Sequence, residues 1–500
     1  MYRQAKYDEP LIFELGKKGR RAHLPPRCDF SRDDIKIPEN MKRISPPDLP
    51  ELHEGEVMRH YVHLSQMNYC IDTNTYPLGS CTMKYNPKVN ETIARSEKMM
   101  CLHPNQPVET VQGILEILYE LQIALGELAG LPHTTLQPPA GASGEYTGLA
   151  LIKAYHDDNG EKQRDEIIAP DSSHGTNPAS TVLNGQKLIE IKSNEDGRVD
   201  MDALKAAVSD RTAGLMLTNP NTLGIFEKDI IEMSNTVRDA GGLLYYDGAN
   251  FNAIVGKIRP GDMGYDVLHF NLHKTFATPH GGGGPGSAAV CCNDILEPYL
   301  PVPTINHDKD KDYYYFDYDR PKSIGKVHGY YGNIAIALRA YAYIAALGEE
   351  GLKNTSDQAV LTANYAMRKM EKIDGLRLSH TSSIPRKHES VLEAIPFLRN
   401  HEVSGMDIAK MLISRGLHAP TVYFPLIAHE ALMMEPTENE NKDRIDQYVK
   451  VLEEEMDKAR KDPDYAHQAP KWTSIGRVDD VYAIRNLTLS WKMMKEKQEE

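Results

Sequence analysis

Apolar residues recur at Val111, Ile114, Leu115, Leu118, Leu121, Leu125 and Leu128, the spacing of one helix face, so a helix is predicted between Val108 and Leu131. Beyond it the period changes. Short apolar runs at Ile167–Ala169, Leu188–Ile191, Gly214–Leu217, Leu243–Tyr246, Val267–Phe270 and Ala288–Cys291 predict strands. Helical spacing from Met201 to Val208 and from Asp229 to Ala240 separates some of them. Strands of continuous apolar character alternating with helices predict an α/β domain, its sheet mostly parallel and covered on both faces. Ile334 to Ala346 predicts a long helix leaving that domain, and the pattern beyond Gly351 is that of a smaller α+β unit. There, Ser404 with Asp407 has the form of a capping box for a helix to Arg415 stopped by Gly416, and Thr437 with Glu440 that of a second cap. The expected division is an extended, Pro-rich arm over 1–60, including Pro25-Pro26 and Pro46-Pro47, a large domain over 61–330, and a linking helix with a small C-terminal domain over 331–500.

Composition narrows the class. With 500 residues, 40% hydrophobic and 26% charged, the chain has the make-up of a globular enzyme of more than one domain. A formal net charge of −14 argues against a general nucleic-acid or membrane-surface binder, and makes any anionic ligand depend on local donors. No apolar run reaches the roughly 18 residues of a membrane span. The six cysteines, Cys28, Cys70, Cys81, Cys101, Cys291 and Cys292, lack metal-site spacing and match reduced thiols in a cytoplasmic protein. The basic cluster Lys17–Arg21 is a solvated arm, since Asp8, Glu9 and Glu14 spoil a transit peptide.

Two residues carry the chemistry. Lys274 follows the apolar run ending at Phe270 and precedes the glycine-rich stretch Gly281–Gly286, where backbone can approach a ligand closely. Asp247 closes the run Leu243–Tyr246. Ligands of parallel sheets bind at the carboxyl ends of strands, where both fall. A fixed lysine for an imine link and a fixed aspartate for a pyridinium nitrogen are the requirements of pyridoxal 5'-phosphate. Upstream, the loop Gln137–Glu145 precedes a helix expected to begin near Tyr146; its small residues offer free N–H groups to a phosphate, although Ser143 would serve equally as the N-cap of an ordinary turn. With Lys274 present the phosphate reading is preferred. His174 follows the run ending at Pro170-Asp171, placed to stack on a flat ring. Two patterns are rejected. Gly281, Gly283 and Gly286 fit a dinucleotide fingerprint but lead into a strand instead of a helix. His269 and His273 are four apart, but on a strand entering a loop that spacing makes no metal site.

Several strings then resemble one family. Tyr76-Pro77-Leu78-Gly79-Ser80-Cys81-Thr82-Met83-Lys84-Tyr85-Asn86-Pro87 is similar to a signature of glycine decarboxylase, the P-protein of the glycine cleavage system. So are Ser173–Ala179, Leu217–Gly224, the Lys274 segment, Ala419–Thr421 and Glu435–Glu438, in ordered blocks from about Tyr61 to Glu440. The family occurs as one long chain of two homologous halves or as two subunits; this half-length, lysine-bearing chain resembles the cofactor-bearing subunit of the split form. The resemblance implies pyridoxal-phosphate fold type I (aspartate-aminotransferase-like). It also implies decarboxylation of glycine with transfer of the aminomethyl group to the lipoyl arm of the H-protein, and assembly with subunit 1 as a two-plus-two heterotetramer. Lys274, Asp247 and His174 become the catalytic set. Ser143, Gly144, Glu145, Thr218, Asn219, His273 and Thr275 join them around the cofactor, with no metal. His328 stands where the family favours a base such as Lys or Arg, leaving any anion contact there in doubt. Two other readings stay open: a different fold-type-I decarboxylase or aminotransferase, for which Arg377, Arg386, Arg399 or Arg415 would hold a carboxylate, and a catalytically silent structural subunit, which an intact Asp247 and Lys274 oppose.

Overall fold

The computed structural model describes residues 3–22, 26, 27, 29–103, 106–280, 285–380 and 383–499; Pro25, Cys28 and the glycines 281–284 of the rejected fingerprint lie outside them. Seven strands form the main sheet: β1 (His133–Thr135), β2 (Glu166–Pro170), β3 (Lys187–Ile191), β4 (Thr212–Thr218), β5 (Leu243–Gly248), β6 (Val267–Asn271) and β7 (Ala288–Cys292). Their order is β1-β7-β6-β5-β4-β2-β3. Strands β2 to β6 run parallel, while β7 and β1 close one edge antiparallel. Every expected strand is found, because strands covered on both faces are nearly unbroken apolar runs: β5 and β6 are buried at every position. The helix Gln112–Ala129 lays Ile114, Leu115, Leu118, Leu121 and Leu125 on the sheet and ends on Gly130 in the left-handed conformation, a glycine C-cap.

After a hairpin of β8 (Thr304–Asp308) and β9 (Tyr313–Asp317), helix Ile334–Met370 leaves the large domain and breaks at Gly348 (φ 62°). The C-terminal domain carries an antiparallel sheet of β10 (Arg377–Leu378), β11 (Ser390–Glu393), β12 (Thr421–Val422) and β13 (Ala431–Met434), in the order β10-β11-β13-β12. Ser404 and Asp407 form the expected capping box of helix Gly405–Ser414. The second expected cap is corrected. Thr437 has φ 69°, outside any N-cap geometry, and its carbonyl accepts from the Thr362 hydroxyl; Asn441 instead caps helix Lys442–Lys461 by accepting from Arg444 N–H. At the amino end, helix Glu54–Met67 runs across residue 60.

The string Tyr76–Pro87 stitches the two domains together. Gly79 N–H donates to Met433 C=O and Glu435 N–H to Pro77 C=O, so the segment pairs with β13. A Cβ on Gly79 would sit 2.3 Å from Met433 Cγ, so the close approach needs glycine. Lys84, fully buried, then donates to Glu438 (2.6 Å), to the Tyr343 hydroxyl (3.0 Å) and to the Thr275 carbonyl. One ammonium thus joins the N-terminal segment, the long helix, the C-terminal domain and the peptide beside Lys274. Removing one partner of a buried pair leaves the other charge uncompensated. Lys84→Ala is therefore expected to lower stability by roughly 3–5 kcal/mol. Urea unfolding followed by circular dichroism measures it, and a loss below about 1 kcal/mol would contradict the assigned role.

Candidate active site

Strands β4, β5 and β6 end on one side of the sheet, and their last residues surround a cavity of about 200 Å³. Its walls include Thr218, Asp247 and His174 from the strand ends, Gly141 and Ala142 from a helix start, and Lys274. Lys274 lies three residues beyond β6, in a turn where its N–H returns to Asn271 C=O. Its Nζ donates to Ser80 C=O (2.8 Å) and Asn250 Oδ1 (3.2 Å).

Asp247 is buried, and burial alone would raise its pKa. His269, the Ala249 N–H, Lys274 and His174 outweigh that cost and hold the carboxyl below its usual range. The contacts are specific: Ala249 N–H donates to Oδ1 at 3.0 Å, Asn177 Nδ2 to Oδ2 at 3.2 Å, and His269 Nε2 stands 3.5 Å from Oδ1. The other nitrogen of His269 is 2.7 Å from the Tyr245 hydroxyl, which fixes the ring. His269, set aside as a ligand in the sequence, thus supports the aspartate.

His174 sits in the cavity wall, 5.4 Å edge-to-face from Phe424, with Nδ1 2.9 Å from Thr176 Oγ1. Burial and then Lys274 lower its pKa against the pull of Asp247. Burial and Lys274 likewise bring His273 down to about 4, so this cavity residue is neutral at pH 7.

The helix expected near Tyr146 begins at Gly141. Gly-Ala-Ser-Gly is a weak helix former, so the periodicity shows only from Tyr146, whereas the chain turns helical immediately after Ala140. Ser143 is therefore inside the first turn and is no N-cap; the helix has no side-chain cap. The first-turn N–H groups have no intrahelical acceptor, and Gly141 and Ala142 bring theirs to the cavity. A Cβ on Gly141 would lie 2.4 Å from Asn271 Oδ1.

Four of the expected cofactor contacts are not in the cavity wall. Ser143 is half-buried on the helix behind it. Gly144 faces the sheet, where a Cβ would be 3.0 Å from both Ala288 and His269. Asn219 accepts Glu227 N–H at 3.0 Å, and the neighbouring Pro220 and Thr222 line the cavity in its place. Thr275 is buried below Lys274. Glu145 does reach the wall, but its oxygens accept from Thr176 (2.6 Å) and Ser180 (3.1 Å), and burial with the charge of Asp247 raises its pKa. With both oxygens engaged by Thr176 and Ser180, Glu145 orients Thr176 and, through it, His174. His328 is half-buried, its Nδ1 3.2 Å from Tyr330 C=O, and is not in the cavity wall.

Three residues absent from the sequence-based set complete the site: Ser80, Asn250 and Glu389. Ser80 stood in the resembling string, but only its left-handed backbone (φ 63°) turns its carbonyl to Lys274. Cys81, next to it, has its thiol pKa raised by burial against the opposing charge of Lys274.

The residues present fit pyridoxal phosphate on the chemistry of the donor set. An amine, a buried carboxylate held ionised and a ring-bearing side chain converge on one cavity. Free helix N–H groups open onto it, and the side-chain oxygens of Thr218 and Asn271 in its wall have no hydrogen-bond partner among the described residues.

Comparison with known proteins places this geometry in a family. Residues 355–470 match the family model "Glycine dehydrogenase, C-terminal domain". The chain is similar to the probable glycine dehydrogenase (decarboxylating) subunit 2 of Thermococcus gammatolerans and of Pyrococcus abyssi. In each case identity is 54% over 499 residues, spanning 100% of this chain and 99% of the relative. The relative from Caldanaerobacter subterraneus is 51% identical over 96% of this chain and 98% of its own length. Among solved structures, an inhibitor-bound glycine decarboxylase (P-protein) of the glycine cleavage system superposes with a TM-score of 0.73 at 20% identity, covering 87% of this chain and 100% of that one. A cysteine desulfurase from Thermococcus onnurineus superposes with a TM-score of 0.60 at 14% identity, covering 77% and 96%. The fold is the fold type I expected from the resemblance, and the chain belongs to the family of glycine dehydrogenase (decarboxylating) subunit 2.

Proposed function

We propose that this chain binds pyridoxal 5'-phosphate on Lys274 and decarboxylates glycine, passing the aminomethyl group to the lipoyl arm of an H-protein in the cytoplasm. The observation that carries the reading is the convergence of Lys274 and Asp247 at the ends of neighbouring parallel strands, in a chain of this family. Lys274 would hold the cofactor covalently, Asp247 would pair its ring nitrogen, His174 would lie against the ring, and the first-turn N–H groups of Gly141 and Ala142, with Thr218, would face its phosphate. When bound, the cofactor supplies an electron sink for the charge left on carbon as carbon dioxide departs.

The chain's own residues provide the rest. Ser80 C=O and Asn250 Oδ1 aim the Lys274 amine into the cavity, where, once released, it can carry a proton to or from the reacting carbon. Filled by cofactor and substrate, a cavity of about 200 Å³ would leave little room for water, which protects the charge left on carbon from being quenched before transfer. The aminotransferase reading is disfavoured because no arginine lines the cavity among the described residues. Arg377 pairs with Glu393, Arg415 with Glu454 and Glu455, Arg386 donates to the Ile384 and Ser379 carbonyls, and Arg399 is exposed.

A subunit 1 partner is implied by the family. The finer proposal is a two-plus-two assembly. Its support is apolar surface at both ends of the chain, Ile35, Met41, Ile44, Trp472, Ile484 and Leu489 all being exposed, more than an isolated chain usually leaves in water.

Three outcomes test this. Borohydride reduction of the loaded protein is expected to fix the pyridoxyl group on Lys274, and Lys274→Ala to abolish the adduct; peptide mapping to another lysine would overturn the assignment. Asp247→Asn keeps the shape and removes the charge, so cofactor should remain while glycine–bicarbonate exchange falls by on the order of a hundredfold. Near-normal exchange in that variant rejects the role. Mass photometry of the chain co-expressed with a subunit 1 homologue is expected to show an assembly of four chains, with exchange appearing only in it. Full exchange by the isolated chain would refute the need for a partner.

A further inference from the structure

Among the described residues, the cavity wall contributed by the C-terminal domain is a single acid, Glu389, immediately before β11. It lies where a carboxylate attached to the reacting amine must lie. The Ser80 carbonyl holds Lys274 Nζ at 2.8 Å, and the N–H of the same residue donates to Glu389 Oε2 at 2.8 Å, so one residue bridges amine and acid. In glycine the nitrogen and the carboxyl carbon are separated by one carbon, about 2.5 Å apart. A glycine whose nitrogen stands near the lysine position therefore carries its carboxylate toward this wall. The remaining Glu389 oxygen, Oε1, accepts no hydrogen bond among the described residues.

An acid facing an anionic substrate must be neutral or it repels it. The neighbours supply that condition. Glu435 follows β13 one step beyond the Ser390–Met434 register pair, beside Glu389. Its two oxygens accept from Thr82 N–H (2.8 Å), Thr82 Oγ1 (2.7 Å), Asn250 Nδ2 (3.2 Å) and Asn252 Nδ2 (3.1 Å). Burial raises Glu435 as well, but four hydrogen-bond donors and Lys274 oppose that rise, whereas Glu389 has one N–H donor and is raised further. Two adjacent buried carboxyls hold one proton between them, and it belongs on the less solvated acid. Burial and then Glu435 accordingly raise Glu389 well above the carboxylate range. The other groups facing it do not reverse this. His388, with Nε2 3.4 Å from Oε1, is brought down to about 3 by burial and Lys274 and carries no charge. Cys81 is a neutral thiol, and Lys274, the one cation near the pair among the described residues, lowers Glu389 less than burial and Glu435 raise it. His388, Glu389 and Glu435 also have atoms within 4.8 Å of one another, but four donors already occupy the Glu435 oxygens, which argues against a cation.

We propose that Glu389 is a substrate-binding residue that, as a neutral acid, donates a hydrogen bond from its carboxyl group to the carboxylate of the amino-acid substrate. This rests on the functional reading above and deepens it. Recognition by a neutral donor orients the substrate carboxylate without an ion pair that would stabilise it against leaving as carbon dioxide.

The test uses the cofactor-loaded complex of this chain with a subunit 1 homologue, and follows the change in the visible spectrum on adding glycine or methylamine. Methylamine has the amine and lacks the carboxylate. Glu389→Gln keeps a donor and is expected to hold glycine affinity within about threefold, whereas Glu389→Ala loses about tenfold or more, the worth of one hydrogen bond to a charged group. Methylamine affinity and cofactor content stay at wild-type values in both. As pH rises and the acid ionises, wild-type affinity for glycine is expected to fall relative to that of Glu389→Gln. Unchanged glycine affinity in Glu389→Ala, an equal loss in Glu389→Gln, or a parallel loss for methylamine overturns the inference while leaving the functional reading intact. A wild-type complex with no reducible cofactor on Lys274 overturns both.

Discussion

Keeping a buried carboxylate charged beside an amine in one small cavity is the constraint on which the arrangement depends. Burial alone would push Asp247 toward its neutral form. Asp247 escapes because its oxygens meet a backbone N–H, an amide and an imidazole, the last held in place by the Tyr245 hydroxyl. Lys274 is held by a peptide carbonyl and an amide oxygen. These supports come from β5, β6, the helix after β2 and the Tyr76–Pro87 segment, so the sheet order that makes β5 and β6 neighbours is itself a requirement of the electrostatics.

The Tyr76–Pro87 segment shows how remote parts of the chain are brought to bear. Ser80 (φ 63°) and Thr82 (φ 46°) both occupy the left-handed region, which disfavours residues with a Cβ by roughly 1–2 kcal/mol each. What offsets that cost is visible: each of the two N–H groups reaches a buried carboxyl oxygen of the C-terminal domain, on Glu389 and Glu435 respectively. Buried N–H groups that would otherwise lack an acceptor make such hydrogen bonds strong enough to hold the conformation. The same bend leaves the Ser80 carbonyl on the lysine. Backbone strain, domain docking and the aim of the reactive amine are thus one structural fact.

Much of this was legible in the sequence, and what was not has a physical reason. The strands and the placements of Asp247, His174, Thr218 and Lys274 follow from local apolar runs and the residues that end them, a short-range signal. The start of the Gly141 helix was hidden because its first turn is made of residues without helical preference. Thr437 mimicked a cap because capping composition carries no information about a left-handed backbone. Ser80 and Glu389 were out of reach for another reason. Glu389 is 115 residues from Lys274 (389 − 274), and no periodicity couples positions joined only by domain packing.

The absence of an arginine from the described cavity wall connects these points to chemistry. An arginine there would bind an amino-acid carboxylate tightly, but the same attraction would have to be broken when the carboxylate leaves as a neutral gas, so it would stabilise the ground state more than the transition state. An acid kept neutral by a second, ionised acid avoids the problem, but only in a dry site, since water would let both carboxyls ionise. The domain junction meets that condition with the elements already described: β11 and β13 deliver the two acids side by side, and the strained segment caps them with N–H groups in place of water. The seam between the domains is therefore part of the chemistry, and its polarity follows from what the reaction must release.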